Sequence, residues 1–232
     1  MQRTEQLRVS GELAAGLAHE IKNPLAGIKI SIEYLLEGSS FSEEQKDIML
    51  KMGSEIRRIE LLIKEFLNFA RPLKPQMIAV NMNNIIDKSI AFSFKDTAFS
   101  KAINITRDFD DDLPETMADP MQLQQVFLNI FLNAVDAMPD GGTISVKTSY
   151  EPAAASIIIE ISDTGNGISE ELQNKIFQPF FTTKSRGTGL GLSISKRLIE
   201  QHGGSISIRN NLGGGAVFGI NIPIKQEEAR LA

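Results

Sequence analysis

Apolar residues recur at intervals of three and four along the first part of the chain, at Leu13, Leu17, Ile21, Leu25, Ile28, Ile32 and Leu35, then at Ile48, Met52, Ile56, Ile59, Ile63 and Phe66. That spacing gathers each series into one stripe of an α-helix. Gly38, Ser39 and Ser40 separate the series, Ser42 and Gln45 have the spacing of a capping box, and Arg71-Pro72 with Pro75 ends the second helix. The pattern predicts a helical hairpin over residues 1–72. Two long helices cannot cover both stripes by packing on each other alone. A homodimer that joins two hairpins into a four-helix bundle is the economical arrangement. Packing of the stripes on the rest of the chain is the alternative.

Beyond a proline-bracketed connector over 73–80, helical and strand periods alternate. A helix is expected from Asn81, short strands over 103–109 and 115–118, and a helix capped by Asp119-Pro120 that runs to Met138. The turn Pro139-Asp140-Gly141-Gly142 leads to strands over 143–150 and 156–162. A helix from Gly191 to Gly203-Gly204 and strands over 205–209 and 216–222 follow. The predicted fold is therefore multidomain, an all-α hairpin forming a dimeric bundle and then an α/β sandwich over 81–226, with a tail over 227–232. Helices should cover one face of a mixed sheet.

His19 lies two residues from both Leu17 and Ile21, roughly 200° round a helix from each, and so faces away from the stripe. Glu20 adjoins it, and Pro24 deprives the Glu20 carbonyl of its helical partner. An outward imidazole beside a carboxylate suits attack on phosphorus, one ring nitrogen acting as nucleophile while the carboxylate takes the proton of the other. With an ordinary pKa of about 6.5, much of a free histidine is neutral near pH 7. A plain surface pair is the alternative, and taken alone this helix would favour it.

Four later segments change that balance. Asn129 and Asn133 are four apart on one helix face, and amide oxygens are suitable ligands for Mg²⁺. A surface or capping pair is the alternative, weakened because asparagine is a poor mid-helix residue. Asp163-Thr164-Gly165-Asn166-Gly167-Ile168 follows the apolar run 157–161. A carboxylate at a strand end can accept a hydrogen bond from an exocyclic amine such as adenine's, while glycines let the backbone approach a flat base. By itself this is also a tight turn. Phe177-Gln178-Pro179-Phe180-Phe181 precedes Gly187-Thr188-Gly189-Leu190-Gly191-Leu192, a glycine run opening a helix, where free amides meet phosphates. Neither the P-loop nor the dinucleotide spacing is present. Thr182, Thr183, Lys184 and Arg186 form a polar stretch suited to folding over a nucleotide, with a surface loop as the alternative.

Composition narrows the classes further. The 232 residues include no cysteine and two histidines, which excludes a disulfide framework or thiol nucleophile and disfavours a Cys/His metal site. Hydrophobic and charged shares of 42% and 23% suit a soluble globular chain. No apolar run approaches the roughly 18 residues of a membrane span, and the start lacks a signal-peptide pattern. A net charge of −5 with scattered basic residues argues against nucleic acid. The expected location is the cytoplasm. No sensory domain is visible, since residues 1–10 lead almost directly into the first helix.

Taken together, His19-Glu20-Ile21-Lys22-Asn23-Pro24-Leu25 resembles the H-box of bacterial two-component sensor histidine kinases, and the four later segments resemble their N, G1, F and G2 boxes in the same order. The resemblance covers nearly the whole chain. It implies a dimerisation and phosphotransfer domain followed by a Bergerat-type ATPase domain, with ATP and Mg²⁺ as cofactors. His19 would be the phosphoacceptor and Glu20 its acid/base partner, while Asn23 would orient water for dephosphorylating a response regulator. Asn133 would hold Mg²⁺ with Asn129 nearby, and Asp163 would bind adenine. Gly165, Gly167, Ile168, Phe180, Thr183, Lys184, Gly187, Thr188, Gly189, Leu190 and Gly191 would line the base and phosphate positions, Lys184 at the γ-phosphate. The partners implied are the receiver domain of a response regulator and a second copy of the chain, with no membrane contact by this segment, although a longer parent can be membrane-anchored. The second domain is expected to swing about residues 71–75. Rival readings are a chaperone- or topoisomerase-like ATPase of the same fold, which needs no outward histidine, and a nucleotide-sensing dimeric scaffold without phosphotransfer. His202, just before Gly203, is explained by its place at a helix terminus.

Overall fold

The computed structural model describes residues 21, 23–36, 41–70, 74–94, 102–184, 187–211 and 213–225. Leu13, Leu17, His19, Glu20, Gly38, Ser39, Ser40, Arg71, Pro72 and Arg186 lie outside the described residues. The chain divides into two compact units, Met1–Leu73 and Lys74–Ala232.

The first unit contains helix α1 over 23–36 and helix α2, Glu43–Ala70. The expected capping box starts α2: the Ser42 amide donates to Gln45 Oε1 at 3.0 Å and the Gln45 amide to Ser42 Oγ at 3.3 Å. Leu25 and Ile32 of α1 bury against Ile56 and Ile63 of α2, with Leu36, Met49, Ile59 and Leu67 packed round them. The apolar stripes are wider than this cluster. Ile21 just ahead of α1, Ile28 and Leu35 on it, and Ile48, Met52 and Phe66 on α2, sit roughly 30–70° round their helices from the buried rows. All six are exposed, by 38% to 51%.

In the second unit β2 (Ile103–Asp108), β4 (Gly142–Glu151), β5 (Ser156–Asp163), β6 (Ser205–Asn210) and β7 (Ala216–Pro223) form a five-stranded sheet in the order β2-β4-β5-β7-β6. Only the β2–β4 pair is parallel, so the sheet is mixed as expected. Helices α3 (Met82–Ser93), α4 (Pro120–Asp136) and α6 (Gly191–Gln201) carry the buried side chains that cover it, among them Ile86, Phe127, Ile130, Phe131 and Ile199. A short α5, Glu170–Gln173, lies in the loop-rich stretch between β5 and α6. Within the segment read as a connector, β1 (Ile78–Val80) pairs antiparallel with β3 (Thr116–Ala118).

Strand alternation sets the burial. Along β5, Ile157, Ile159, Ile161 and Asp163 are buried while 158, 160 and 162 are less so. The last inward position is thus a carboxylate, directly opposite Ile144 of β4. The opposite face of the sheet is polar, carrying the ion pairs Lys147–Asp108 at 2.9 Å and Arg209–Glu160 at 2.8 Å. The hydrogen bond and charge of Asp108 raise the Lys147 pKa above its ordinary value.

Candidate nucleotide site

Asp119 fixes where α4 begins. Its Oδ1 accepts from the amides of Met121 at 2.9 Å and Gln122 at 3.1 Å, with Pro120 at the first helical position. Its Oδ2 accepts from the Gln76 amide at 2.8 Å. Its own amide donates to Nε2 of His202 at 2.9 Å, and His202 Nδ1 lies 2.8 Å from the Leu198 carbonyl. A carbonyl only accepts, so Nδ1 carries the ring hydrogen and the buried imidazole is neutral. His202 therefore closes α6 before Gly203, as its position suggested, and also joins the end of α6 to the start of α4.

Helix α4 then presents consecutive turns to α6 and to two loops. Asn129 Nδ2 donates to Ser195 Oγ of α6 at 2.9 Å, and any side chain at Gly191 would collide with the Asn129 amide. One turn on, Asn133 Oδ1 accepts from Lys184 Nζ at 2.6 Å, and the same ammonium lies 2.7 Å from Asp136 Oδ2. At the end of α4, a Cβ on Gly165 would stand 2.7 Å from the Ala137 carbonyl oxygen. From Asn129 to Ala137 is about 12 Å at 1.5 Å per residue. Along that length the helix meets the first turns of α6, the polar stretch containing Lys184 and the loop after β5.

At one end, Asp163 is 4% exposed, and its Oδ1 accepts from the amides of Gly165 at 2.8 Å and Ala216 at 3.2 Å. Oδ2 has no partner among the described residues. Gly215, with φ +86°, lies so close to the Asp163 carbonyl that a Cβ would overlap it. The following loop is held at Ile168, whose amide donates to Asn210 Oδ1 at 2.9 Å and whose carbonyl accepts from Asn210 Nδ2 at 2.8 Å. Gly167, at φ +68°, makes the turn between them.

At the other end, α6 starts at Gly191 with no side chain capping it, which leaves first-turn amides available to an anion. Thr188 Oγ1 accepts from the Leu190 amide at 3.2 Å, and Leu190 is buried. Gly189 passes against the backbone of Phe180, both with positive φ. Gly187 backs onto Thr182, whose Oγ1 accepts from the Lys184 amide at 3.1 Å. Phe180 and Thr183 are exposed beside them. A separate depression of about 340 Å³ on the polar sheet face, lined by Asp108, Lys147, Glu160 and Arg209, lies among none of these groups.

Two family models match the chain. Residues 9–74 match the His Kinase A (phospho-acceptor) domain, and residues 118–226 match the histidine kinase-, DNA gyrase B- and HSP90-like ATPase family. The isolated catalytic domain of histidine kinase ThkA is 33% identical with a TM-score of 0.58, the match covering 64% of this chain and 96% of that one. The chain belongs to the sensor histidine kinases. Sensor histidine kinase ZraS of Salmonella typhi is 40% identical over 224 residues, 97% of this chain and 48% of that protein. Full-length ShkA in complex with AMPPNP shares 26% identity and a TM-score of 0.77 over 94% of this chain and 47% of that one. ThkA in complex with response regulator TrrA shares 30% identity and a TM-score of 0.69 over 96% of this chain and 64% of that one. The chain spans about half the length of the ZraS proteins it matches.

His19 and Glu20, read from the sequence as phosphoacceptor and acid/base partner, lie outside the described residues. Asn23 is described and exposed on α1. The structure adds three residues that the motifs did not indicate. Asp136 is three beyond Asn133, a spacing that would have flagged it as a neighbour on one helix face. Asn210 and Gly215 come from the distant β6–β7 hairpin and have no local signal pointing to the β5 loop.

Proposed function

We propose that this kinase core binds ATP with Mg²⁺, phosphorylates His19 and passes the phosphoryl group to an aspartate in the receiver domain of a response regulator. The observation that carries the reading is the contact of α4 and its C-cap with the start of α6 at Asn129, with the Lys184 loop at Asn133 and with the loop after β5 at Ala137. Adenine would meet Asp163 Oδ2, and the triphosphate would run toward the uncapped amides of α6, bounded by Gly187, Gly189 and Gly191. Asn133 fits a metal, since its Oδ1 already accepts from a cationic group, the Lys184 ammonium. Bound Mg²⁺ would neutralise charge developing on the phosphates.

His19 then attacks the γ-phosphorus with one ring nitrogen. An N–P bond forms, the bond from phosphorus to the bridging oxygen of ADP breaks, and Glu20 takes the proton from the other nitrogen. The phosphoimidazole donates in turn to a receiver carboxylate. The complex of ThkA with a response regulator supports that partner. Asn23, Ile30 and Tyr34 fall within about 20° of one line along α1, opposite the buried row, and the last two are 65% and 74% exposed. That line is the proposed docking face for the regulator, with Asn23 orienting water when the regulator is dephosphorylated. The exposed rows beside the hairpin cluster support a homodimer, and the proposed domains are the hairpin over 1–72, a connector over 73–80 whose last residues form β1, and the ATP-binding domain over 81–226. The location proposed is the cytoplasm. The match of 9–74 to a phospho-acceptor domain favours this reading over a chaperone- or topoisomerase-like ATPase.

The test is incubation with γ-labelled Mg-ATP. Wild type should acquire acid-labile, base-stable label and His19→Gln should acquire none. Label on His19→Gln at the wild-type level would overturn the assignment.

A further inference from the structure

Asn133 and Asp136 stand three residues apart on α4, which brings their side chains to the same side of the helix. Asn133 Oδ1 and Asp136 Oδ2 converge on one point, 2.6 Å and 2.7 Å from the Lys184 ammonium. Lys184 arrives from a loop 48 residues away in sequence from Asp136, with its amide held by Thr182 Oγ1 at 3.1 Å. An ammonium is a compact point charge, so two oxygen donors aimed at it mark a cation position. We propose that Asp136 is the second half of the divalent-cation position beside Asn133, and that Lys184 occupies that position until a metal–nucleotide complex displaces it. This deepens the nucleotide reading above and rests on it.

Three properties make the exchange workable. The Lys184 and Asp136 side chains are 42% and 55% exposed, so solvent weakens their ion pair and leaves it replaceable. At equal distance a carboxylate attracts a doubly charged ion twice as strongly as an ammonium. Mg²⁺ keeps several waters and is commonly held by one or two protein oxygens together with phosphate, so Asp136 can hold it directly or through a retained water. Metal capture and lysine release become one step, and the freed ammonium is available to the phosphates. Asp136 is thus a positioning residue for the metal and for Lys184.

The experiment measures ADP affinity of the full chain by fluorescence competition, once in EDTA and once in saturating Mg²⁺, and takes the ratio. ADP lacks the γ-phosphate that would otherwise engage Lys184. Asp136→Asn should lower the ratio several-fold, Asp136→Glu should restore it, and Asp140→Asn in the exposed turn after α4 should leave it at the wild-type value. Lys184→Met should raise the ratio several-fold, because no resident cation competes. The double variant should follow Asp136→Asn, since without the carboxylate the lysine keeps only the neutral Asn133 oxygen and competes weakly. A wild-type ratio for Asp136→Asn, or a lowered ratio for Lys184→Met, would overturn the proposal while leaving the nucleotide site standing. Absence of ADP binding by the wild-type chain in both conditions would overturn both.

Discussion

Asp119 makes three side-chain bonds and one amide bond, to Met121, Gln122, Gln76 and His202, from a residue only 7% exposed. Removing His202 leaves the Asp119 amide buried without an acceptor and opens a cavity. His202→Ala should therefore destabilise the second unit by about 2–4 kcal/mol in chemical denaturation, the combined cost of an unpaired buried donor and lost packing. Gly215 is a second position where one atom decides. Its φ of +86° and its closeness to the Asp163 carbonyl leave no room for a methyl group. Gly215→Ala should weaken ADP binding by roughly 10-fold or more, since it must displace the strand end carrying the carboxylate. The place of Asp163 at a strand end was legible in the sequence, because the apolar run 157–161 precedes it and glycines follow. Gly215 was not, because its constraint comes from a strand 52 residues earlier.

At the level of elements, the long helices of both units were readable from their stripes and caps, whereas the four-residue α5 was too short to show a stripe. Ser42 and Gln45 form the bonds their spacing implied, and Asp119, ahead of Pro120, accepts from the amides of Met121 and Gln122. The three-residue strand β1 carried too short a pattern to register, and its pairing with β3 depends on a partner about 38 residues away. The loop after β5 gives the element-scale prediction. It is fastened at Ile168 by Asn210, whose side chain is exposed, so Asn210→Ala should change global stability by less than about 1 kcal/mol. The same change should weaken ADP binding, read by the fluorescence competition described above, because the loop backing the base position loses both of its bonds to β6.

For the whole molecule, what remains uncovered is as informative as what is buried. The exposed rows Ile21, Ile28, Leu35 and Ile48, Met52, Phe66 continue the same stripes that build the hairpin cluster. Apolar surface of this extent is stable in water when a second copy covers it. The double variant Ile28→Glu, Ile48→Glu should halve the mass measured by light scattering and leave the ADP affinity of the Lys74–Ala232 unit unchanged.

If adenine meets Asp163 as proposed, the two amides held on its Oδ1 have a last consequence, for which purine the cleft admits. With one oxygen fixed by Gly165 and Ala216, the carboxylate offers the other as a hydrogen-bond acceptor in a set direction. A 6-amino group brings it a donor, whereas a 6-oxo group brings lone pairs against lone pairs. Guanine and hypoxanthine nucleotides should therefore be turned away by repulsion at a single atom.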